Sequence, residues 1–445
     1  MKTIKYFFLA VLLVPSILWL FADTLFPQPF TYFSFRSVFV QYSGIIAVAI
    51  MSIAMLLAMR PKRLEPFMNG LDKMYRLHKW LGIAALSFAV THWWFAKGTK
   101  WMVGWGWLAK PERKHRGSGE SLGFWQDLLH DQRGFAESVG EWAFYAAALL
   151  ITLALIKRFP YRWFVKTHTL LAVAYLAFVY HSVVLIKFDY WSQPIGWLMA
   201  VLLLAGTVAA IWVLLGKVGA KHKVNGEITS TEYHSDMRVL EVTVKLDEGW
   251  KGHNAGQFAF ATSDLKEGAH PYTIASAWDP QTRLIKFIIK ELGDHTERLK
   301  NSLSEGMLVT VEGPYGRFDF QDKQPQQIWI GAGIGITPFV ARMKKLAEQP
   351  NGKKIDFFHP TTKVNDVVRQ KLAADVSAAN VNFYLLDDTA SVRLDAEQIR
   401  AAVPNWQSAS IWFCGPPLFG ESLRKDFLAK GFPEKHFHQE LFQFR

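Results

Sequence analysis

The sequence predicts a helical membrane bundle followed by two soluble domains, an antiparallel β-barrel and an α/β domain. Residues 1–216 are dominated by long apolar runs. From about residue 222 the chain alternates apolar and polar residues, with frequent Gly and Pro. A length of 445 residues leaves room for two or three domains. We therefore expect domains over residues 1–218, 222–322 and 325–445.

Six apolar segments are long enough to cross a hydrocarbon layer of ~30 Å. They lie near residues 6–24, 38–59, 77–96, 140–156, 165–186 and 194–216. A signal peptide is the alternative for the first, but Trp19 and Phe21 stand where a cleavage site has small residues, which favours a retained helix.

Lys and Arg concentrate in alternate connections between these segments, which predicts a cytoplasmic N-terminus and a cytoplasmic soluble half. We expect a multi-pass protein of a bacterial-type inner membrane. The long 97–139 connection is an exception, since it carries several basic residues on the outside. The net charge of +12 is explained by the basic residues that flank apolar helices, so we expect membrane lipid and not nucleic acid as a partner.

Four histidines stand inside two of the apolar segments. His78 and His92 are fourteen residues apart, about 21 Å along one face of a helix. His168 and His181 repeat the arrangement with a spacing of thirteen, which leaves a straight helix about 140° out of phase. A kink, or haems turned differently at the two levels, would reconcile this spacing with two haems. Since imidazole is an axial ligand of haem iron, we expect an inner haem between His78 and His168 and an outer haem between His92 and His181.

The connection 97–139 is rich in aromatic residues, among them Trp101, Trp105 and Trp107. It is either a cap over the outer haem or an interfacial segment, because Trp favours the headgroup layer. His115 and His130, in polar surroundings, are expected at the surface.

Short strands with β-branched residues predict the barrel. They lie at 224–246, 256–261, 272–276, 284–289 and 307–312. Within them, Tyr272 and Thr273 are suited to pack against and hydrogen-bond a flat conjugated ring. The turn from Gly313 to Gly316 offers exposed amides to a pyrophosphate.

The α/β domain follows from four buried strands at 328–330, 355–359, 382–386 and 410–414. A glycine-rich turn, Gly331–Phe339, joins the first strand to a helix and lets the backbone approach phosphates. Thr361, Thr362 and Lys363 follow the second strand where a carboxylate would favour NADH, so they favour NADPH. The single cysteine, Cys414, excludes a disulfide within the chain and is expected to line a ring pocket.

Together these residues resemble the ferric reductase and NADPH oxidase superfamily over essentially the whole chain. The resemblance implies a membrane all-α six-helix di-haem bundle, followed by an antiparallel β-barrel FAD domain and an α/β nucleotide-binding domain of the ferredoxin–NADP reductase type. It implies FAD, two b-type haems, and NADPH or NADH as substrate.

The resemblance also implies site residues. For FAD they are His270, Pro271, Tyr272, Thr273 and Ser276 of an H-P-[FY]-T-x-x-S motif, then Ile289, Lys290, Gly293, Asp294, His295 and Thr296, with Gly313, Gly316, Glu440 and Phe442. For NAD(P)H they are Gly331, Gly333, Gly335, Thr337 and Pro338, then Thr361 and Lys363, and Cys414, Gly415 and Pro416 of a C-G-P-P motif.

These assignments imply an oxidoreductase that moves electrons from cytoplasmic NAD(P)H through FAD and both haems to an acceptor outside. The first candidate acceptor is O2, giving superoxide, and the second is a ferric chelate. Ala96 stands where eukaryotic oxidases often carry another histidine, which leaves the acceptor open. From a different class, the chain would donate electrons to a partner protein or a quinone.

Overall fold

The computed structural model describes residues 2–109, 123–387 and 394–440. Within them the chain forms two compact units. Residues 1–61 and 73–218 make up the first, and residues 62–72 and 219–444 the second. The short segment 62–72 lies between two long helices in sequence but folds with the second unit.

In the described part of the first unit, all regular secondary structure is helical. Its helices are α1 (Lys2–Leu20), α2 (Tyr32–Ala58), α4 (Leu71–Trp93), α5 (Thr99–Gly104), α6 (Phe124–Asp131), α7 (Arg133–Leu155), α8 (Tyr161–Thr169), α9 (Leu171–Leu185) and α10 (Pro194–Leu214), while α3 (Glu65–Met68) belongs to the second unit. A π-helical turn, Trp94–Gly98, continues α4. Each of the six predicted apolar segments therefore overlaps helix.

Among the described residues, five helical segments have the length and apolar composition to cross a membrane. They are 3–20, 32–58, 133–155, 161–185 and 194–214. The third predicted span, 77–96, is not among them, although α4 and the π-helical turn cover it. The polar residues His78, Lys79 and His92 lower the mean hydropathy of α4.

The helix that carries His168 and His181 is broken between them. Helix α8 ends at Thr169, α9 begins at Leu171, and the amide of Leu170 donates to the carbonyl of Thr167, a single tighter turn. This tighter turn lies between the two histidines, where a spacing of thirteen predicts either a kink or haems turned differently at the two levels.

The core of this unit lies where α1, α2, α7, α9 and α10 meet around Trp19, Ile45, Tyr175 and Met199. The Tyr175 hydroxyl is 2.8 Å from the Ser52 hydroxyl, so its polar end is satisfied inside the bundle. A Cβ at Gly206 of α10 would lie 2.0 Å from the Tyr175 hydroxyl oxygen. Glycine at 206 therefore lets α10 pack closely over this ring.

The second unit begins with a six-stranded antiparallel sheet in the order β4-β3-β6-β1-β2-β5. Its strands are β1 (Lys223–His234), β2 (Val239–Leu246), β3 (Phe258–Thr262), β4 (His270–Thr273), β5 (Leu284–Lys290) and β6 (Leu308–Tyr315), with α11 (Asp294–Ser302) between the last two. An isolated bridge between Ile274 and Phe287 joins the two edges, so the sheet closes into the predicted barrel.

A parallel five-stranded sheet follows, in the order β11-β10-β7-β8-β9. Its strands are β7 (Gln326–Gly331), β8 (Lys354–Pro360), β9 (Asn382–Leu386), β10 (Ala409–Cys414) and β11 (Phe437–Gln439), and its helices are α12 (Thr337–Glu348), α13 (Asp366–Ala378), α14 (Ala396–Ala402) and α15 (Pro417–Ala429). Separate apolar clusters around Phe339 and Phe427 cover its two faces. This doubly wound arrangement confirms the predicted α/β domain.

Candidate functional site

The structure brings the two inner histidines together. The ring centroids of His78 and His168 lie 5.9 Å apart. The Nδ1 atom of His78 is 3.0 Å from the carbonyl oxygen of Ala54, and because a carbonyl only accepts, this nitrogen carries the proton. The ring of His168 stacks on Phe164 at 5.1 Å, and its Nδ1 has no hydrogen-bond partner among the described residues.

The two outer histidines are paired in the same way. The ring centroids of His92 and His181 lie 6.2 Å apart. Their Nδ1 atoms are 3.0 and 2.8 Å from the carbonyl oxygens of Val40 and Ala136. In both neutral rings the proton is thus on Nδ1 and the lone pair is on Nε2, the state of an imidazole that binds a metal.

These separations suit an iron atom between each pair. With metal–nitrogen bonds of about 2 Å on either side, two imidazole centroids lie about 6 Å apart. Three of the four rings also have their second nitrogen on a backbone carbonyl, the usual outer contact of a metal-bound histidine. The residues present therefore fit two bis-histidine haems.

Two glycines stand behind the outer pair. A Cβ at Gly44 of α2 would lie 3.0 Å from Cε1 of His92, and a Cβ at Gly140 of α7 would lie 2.0 Å from Nδ1 of His181. A side chain at Gly140 would occupy the place of the imidazole. The small residue lets α7 come close enough for its Ala136 carbonyl to hold the ring.

A cavity of about 380 Å³ surrounds the outer pair, and its lining includes both His92 and His181. Basic side chains on its wall are Arg36, Lys97, Lys100, Arg133 and Lys187, and the acids are Glu137 and Glu141. The Arg36 guanidinium donates to the carbonyls of Phe95 and Ala96 in the π-helical turn. Lys97 and Glu141 form an ion pair at 2.6 Å across the wall.

In the barrel, the predicted flavin motif places two histidine rings face to face. His270 begins β4, and its ring stacks on His295 of α11 with centroids 3.6 Å apart and planes 6° apart. Burial, aided by the adjacent His295, lowers the pKa of His270 to about 3, so the stacked ring is neutral. The Tyr272 hydroxyl lies 3.0 Å from Nε2 of His295. These contacts join the two predicted flavin segments.

The other predicted flavin residues take several positions. The Ser276 hydroxyl accepts from the amide of Lys286. The Thr296 hydroxyl accepts from the amides of Leu292 and Gly293, at the N-terminus of α11. Pro271 and Thr273 pair with strand β3, Ile289 packs in the barrel core and Lys290 lines a cleft described below. Phe442 lies outside the described residues, and Glu440 is buried.

The turn Gly313–Gly316 differs from the prediction, because its Gly316 amide is not exposed. Gly313, Tyr315 and Gly316 are buried, and the Gly316 amide donates to the Glu65 carboxylate at 2.5 Å. Glu65 also accepts from the amide of Leu71, and burial raises the pKa of its carboxyl. The amide offered to a pyrophosphate is therefore occupied by a residue 251 positions earlier.

The predicted nucleotide motifs meet at the carboxyl ends of β7 and β10. A Cβ at Gly335 would lie 2.2 Å from the carbonyl oxygen of Cys414, and a Cβ at Gly415 would lie 2.7 Å from the side chain of Ala332. Gly333 adopts φ +56°, a left-handed conformation that glycine tolerates. Thr337 and Pro338 begin α12, so the glycine-rich turn ends at a helix N-terminus as predicted.

Beside this turn a cleft of about 680 Å³ opens between the barrel and the parallel sheet. Its lining contains the predicted residues Gly333, Thr361 and Lys363. The sequence reasoning missed its other cations, which come from both domains: Arg238, Lys286, Lys344 and Lys371. The sequence pointed only to Lys363 and, for FAD, to Lys290. The other four cations lie apart in the sequence and come together only in the fold.

Known families match both units. Residues 43–179 match the family described as a ferric reductase like transmembrane component, and residues 227–319 match an FAD-binding domain. Ferric reduction oxidase 4 of Arabidopsis thaliana is 31% identical over 103 residues, covering 22% of this chain and 14% of that protein. Respiratory burst oxidase homolog protein E of the same plant is 27% identical over 218 residues, covering 43% and 22%.

The two matched domains and these relatives make the chain similar to the ferric reductase and NADPH oxidase superfamily. An NADPH oxidoreductase of Mycobacterium tuberculosis is 26% identical over 153 residues, covering 33% of this chain and 40% of that protein. The chain thus spans 14–40% of the lengths of these three relatives. The chain joins a ferric reductase-like transmembrane component to an FAD-binding domain. It is therefore an oxidoreductase.

Proposed function

We propose that this protein transfers electrons from cytoplasmic NAD(P)H through FAD and two b-type haems to an acceptor on the outer side of the membrane. The paired histidines carry this proposal. Two pairs, each with ring centroids about 6 Å apart, are the arrangement that two bis-histidine haems require.

In this proposal His78 and His168 hold the inner haem, and His92 and His181 hold the outer one. When bound, the flavin accepts a hydride and releases electrons one at a time, and the haem irons pass them on. The chain supplies placement. The carbonyls of Ala54, Val40 and Ala136 fix the tautomer and direction of three imidazoles, and Phe164 orients the fourth by stacking.

The cleft beside the glycine-rich turn is assigned to NAD(P)H. Six cationic side chains line the cleft against three carboxylates, and this excess of positive charge suits a dinucleotide. The neighbouring glycine-rich turn presents backbone to phosphates. Thr361 and Lys363 follow β8, where an acidic residue would instead bind the ribose 2′-hydroxyl of NADH. We infer a preference for NADPH, whose 2′-phosphate Lys363 would bind.

The flavin is assigned to the barrel surface beside His270, Tyr272 and His295. Neutral stacked imidazoles and a phenol provide flat faces and hydrogen-bond donors without charge. Thr296 fixes the start of α11 by accepting from the amides of Leu292 and Gly293, and the FAD phosphates would bind at this helix N-terminus.

Dioxygen is the first candidate acceptor. If His92 and His181 both hold the outer haem, the cavity that they line is where O2 would approach it. A ferric chelate is the second candidate. The cations of that cavity, Arg36, Lys97 and Lys100 among them, favour an anionic acceptor.

The test is NADPH oxidation by the purified, FAD-loaded and haem-loaded protein. In air, an oxidase produces a signal from cytochrome c reduction that superoxide dismutase abolishes. A ferric reductase instead shows anaerobic NADPH oxidation that starts on adding ferric citrate. The proposal of transmembrane electron transfer is wrong if NADPH reduces the flavin but neither haem is reduced anaerobically.

A further inference from the structure

We propose that Glu232, His234 and Glu241 form a binding site for a divalent transition metal ion of the zinc type. The three residues lie on one face of the β1–β2 hairpin, remote in sequence from the flavin and nucleotide motifs. Glu232 and His234 are two positions apart on β1 and so point to the same side. Glu241 of β2 stands directly opposite Glu232.

The imidazole aims an uncommitted nitrogen at the two carboxylates. His234 is only 7% exposed, and its buried Nε2 atom has no hydrogen-bond partner in the described part of the chain. This atom lies 3.6 Å from Oε1 of Glu232 and 3.4 Å from Oε1 of Glu241, without hydrogen-bond geometry. A buried polar nitrogen in such a position is unfavourable unless another group satisfies it.

The distances between the ligand atoms of Glu232, His234 and Glu241 are close to those of atoms that bind the same metal ion. Ligand atoms about 2.1 Å from a tetrahedral zinc lie about 3.4 Å from one another. All three ligand atoms lie within 4.8 Å of one another, so a small movement of the Glu232 side chain closes the third edge. One nitrogen and two carboxylate oxygens form a ligand set that zinc accepts, and the fourth position is left for water.

The outer contacts of such a site are also present. The second oxygen of Glu232 accepts from Lys371 at 2.8 Å, and the second oxygen of Glu241 accepts from Lys286 at 3.1 Å. Each carboxylate therefore directs one oxygen at a lysine and the other at the imidazole, as a monodentate metal ligand does. The lysines also offset part of the repulsion between two glutamates that face each other across the hairpin.

An ion at this site would lie beside the cleft assigned to NAD(P)H, because Glu241, Lys286 and Lys371 also line that cleft. Glu232 belongs to the barrel and Lys371 to α13 of the α/β domain. By fixing Glu232, the metal would restrain the ion pair that joins the two domains at the edge of the cleft. Only this consequence rests on the proposed function, since the site itself does not depend on what the cleft binds.

The experiment is metal binding to the full chain, untagged and saturated with FAD. Isothermal titration with Zn²⁺ is expected to show one ion per chain whose affinity falls at least about tenfold in E232Q and H234Q. E227Q, on the same strand, is the matched control and is expected to bind like the parent. Co²⁺ is expected to give the visible absorption of a tetrahedral complex in the parent and in E227Q only.

Equal Zn²⁺ affinity in the parent, E232Q and H234Q would overturn the proposal. So would loss of binding in H295Q with retention in H234Q, because the ion would then lie at the Glu267–His270–His295 cluster. E232Q is a mild change at a half-exposed side chain, so it keeps the test valid if H234Q does not fold. The melting temperature is expected to rise with Zn²⁺ in the parent and in E227Q but not in E232Q, and Mg²⁺ as effective as Zn²⁺ would contradict the ligand class.

Discussion

Histidines hold interior positions in both units, but their surroundings differ. In the first unit four histidines stand in two pairs, and three of the four have Nδ1 on a backbone carbonyl. In the second unit His253 and His359 stand singly. His253 donates to the carbonyl of Ser276 and accepts from the Trp250 indole, so both of its nitrogens are used by the protein.

If the proposed haem sites are right, this difference separates a metal-binding histidine from a histidine of the protein core. One nitrogen on a backbone carbonyl is common to both kinds, since His359 also bonds the Gly331 carbonyl, at 2.5 Å. What distinguishes the first unit is a second imidazole at the distance of a shared iron. Pairing across helices, rather than an apolar environment, is therefore the feature to test.

The largest effect is expected from Gly140→Ala. The new Cβ would lie 2.0 Å from Nδ1 of His181, so the ring must leave its place. We expect loss of about half of the bound haem, together with a destabilisation of about 1–3 kcal/mol from overpacking. Haem content per chain, from the absorbance of the pyridine complex, measures this.

Gly134→Ala is the matched control, because it is on the same helix and its new Cβ has no atom within 4 Å. It should keep the full haem content and gain a little stability, since alanine favours helix over glycine. Equal haem content in the two variants would show that Gly140 does not make room for a ligand.

A second prediction concerns the single histidines and is about pH. Burial lowers the pKa of His359 to about 4 in the folded protein, whereas the unfolded chain has about 6.5. Below pH 6.5 the unfolded state therefore binds a proton that the folded state refuses, so stability falls as the pH drops from 6.5 towards 4, by at most about 3 kcal/mol.

In His359→Asn the amide can still donate to the Gly331 carbonyl, but this titration is gone. We expect stability to depend less steeply on pH between 6.5 and 4, as measured by the temperature at which heating releases the flavin. Haem content should be unchanged. If the stability of the variant depended on pH as steeply as that of the parent, the titration of His359 would not contribute. If the variant lost haem, single and paired histidines would not differ in the way proposed.

The smallest effect is expected from Phe164→Leu. His168 lacks a hydrogen bond at Nδ1 among the described residues, so the stack with Phe164 orients its ring. Losing an aromatic contact costs about 0.5–1.5 kcal/mol, so inner-haem affinity should fall up to about tenfold. Trp163→Leu, one position earlier on the exposed side of α8, is the control for haem titration of the apoprotein. If Phe164→Leu bound the inner haem with the affinity of the parent, stacking would not be what orients His168.

The sequence predicted much of this because the evidence was local. The helical spacing of the histidines, the alternation in the strands and the glycine-rich turn are each a pattern within one short stretch of sequence. The sequence did not predict the helix break at Leu170, since a spacing of thirteen allows either a kink or haems turned differently. The β11 strand was missed, because three residues give too short a pattern.

Contacts between distant residues were out of reach. The Gly316 amide was expected to face a pyrophosphate, but Glu65 accepts its hydrogen bond from 251 positions away. The place of Gly140 behind His181 depends on how α7 packs on α9. The meeting of Glu232 with Glu241 depends on the register of one hairpin, which includes an irregularity between Ile228 and Ser230.

The central claim is that two pairs of histidines hold two haems, and haem stoichiometry in the double variant His92→Ala/His181→Ala tests it most directly. We expect two b-type haems per chain in the parent and one in the variant, with the remaining haem still reduced by NADPH. An unchanged haem spectrum and a stoichiometry still at two would contradict the assignment of the outer pair.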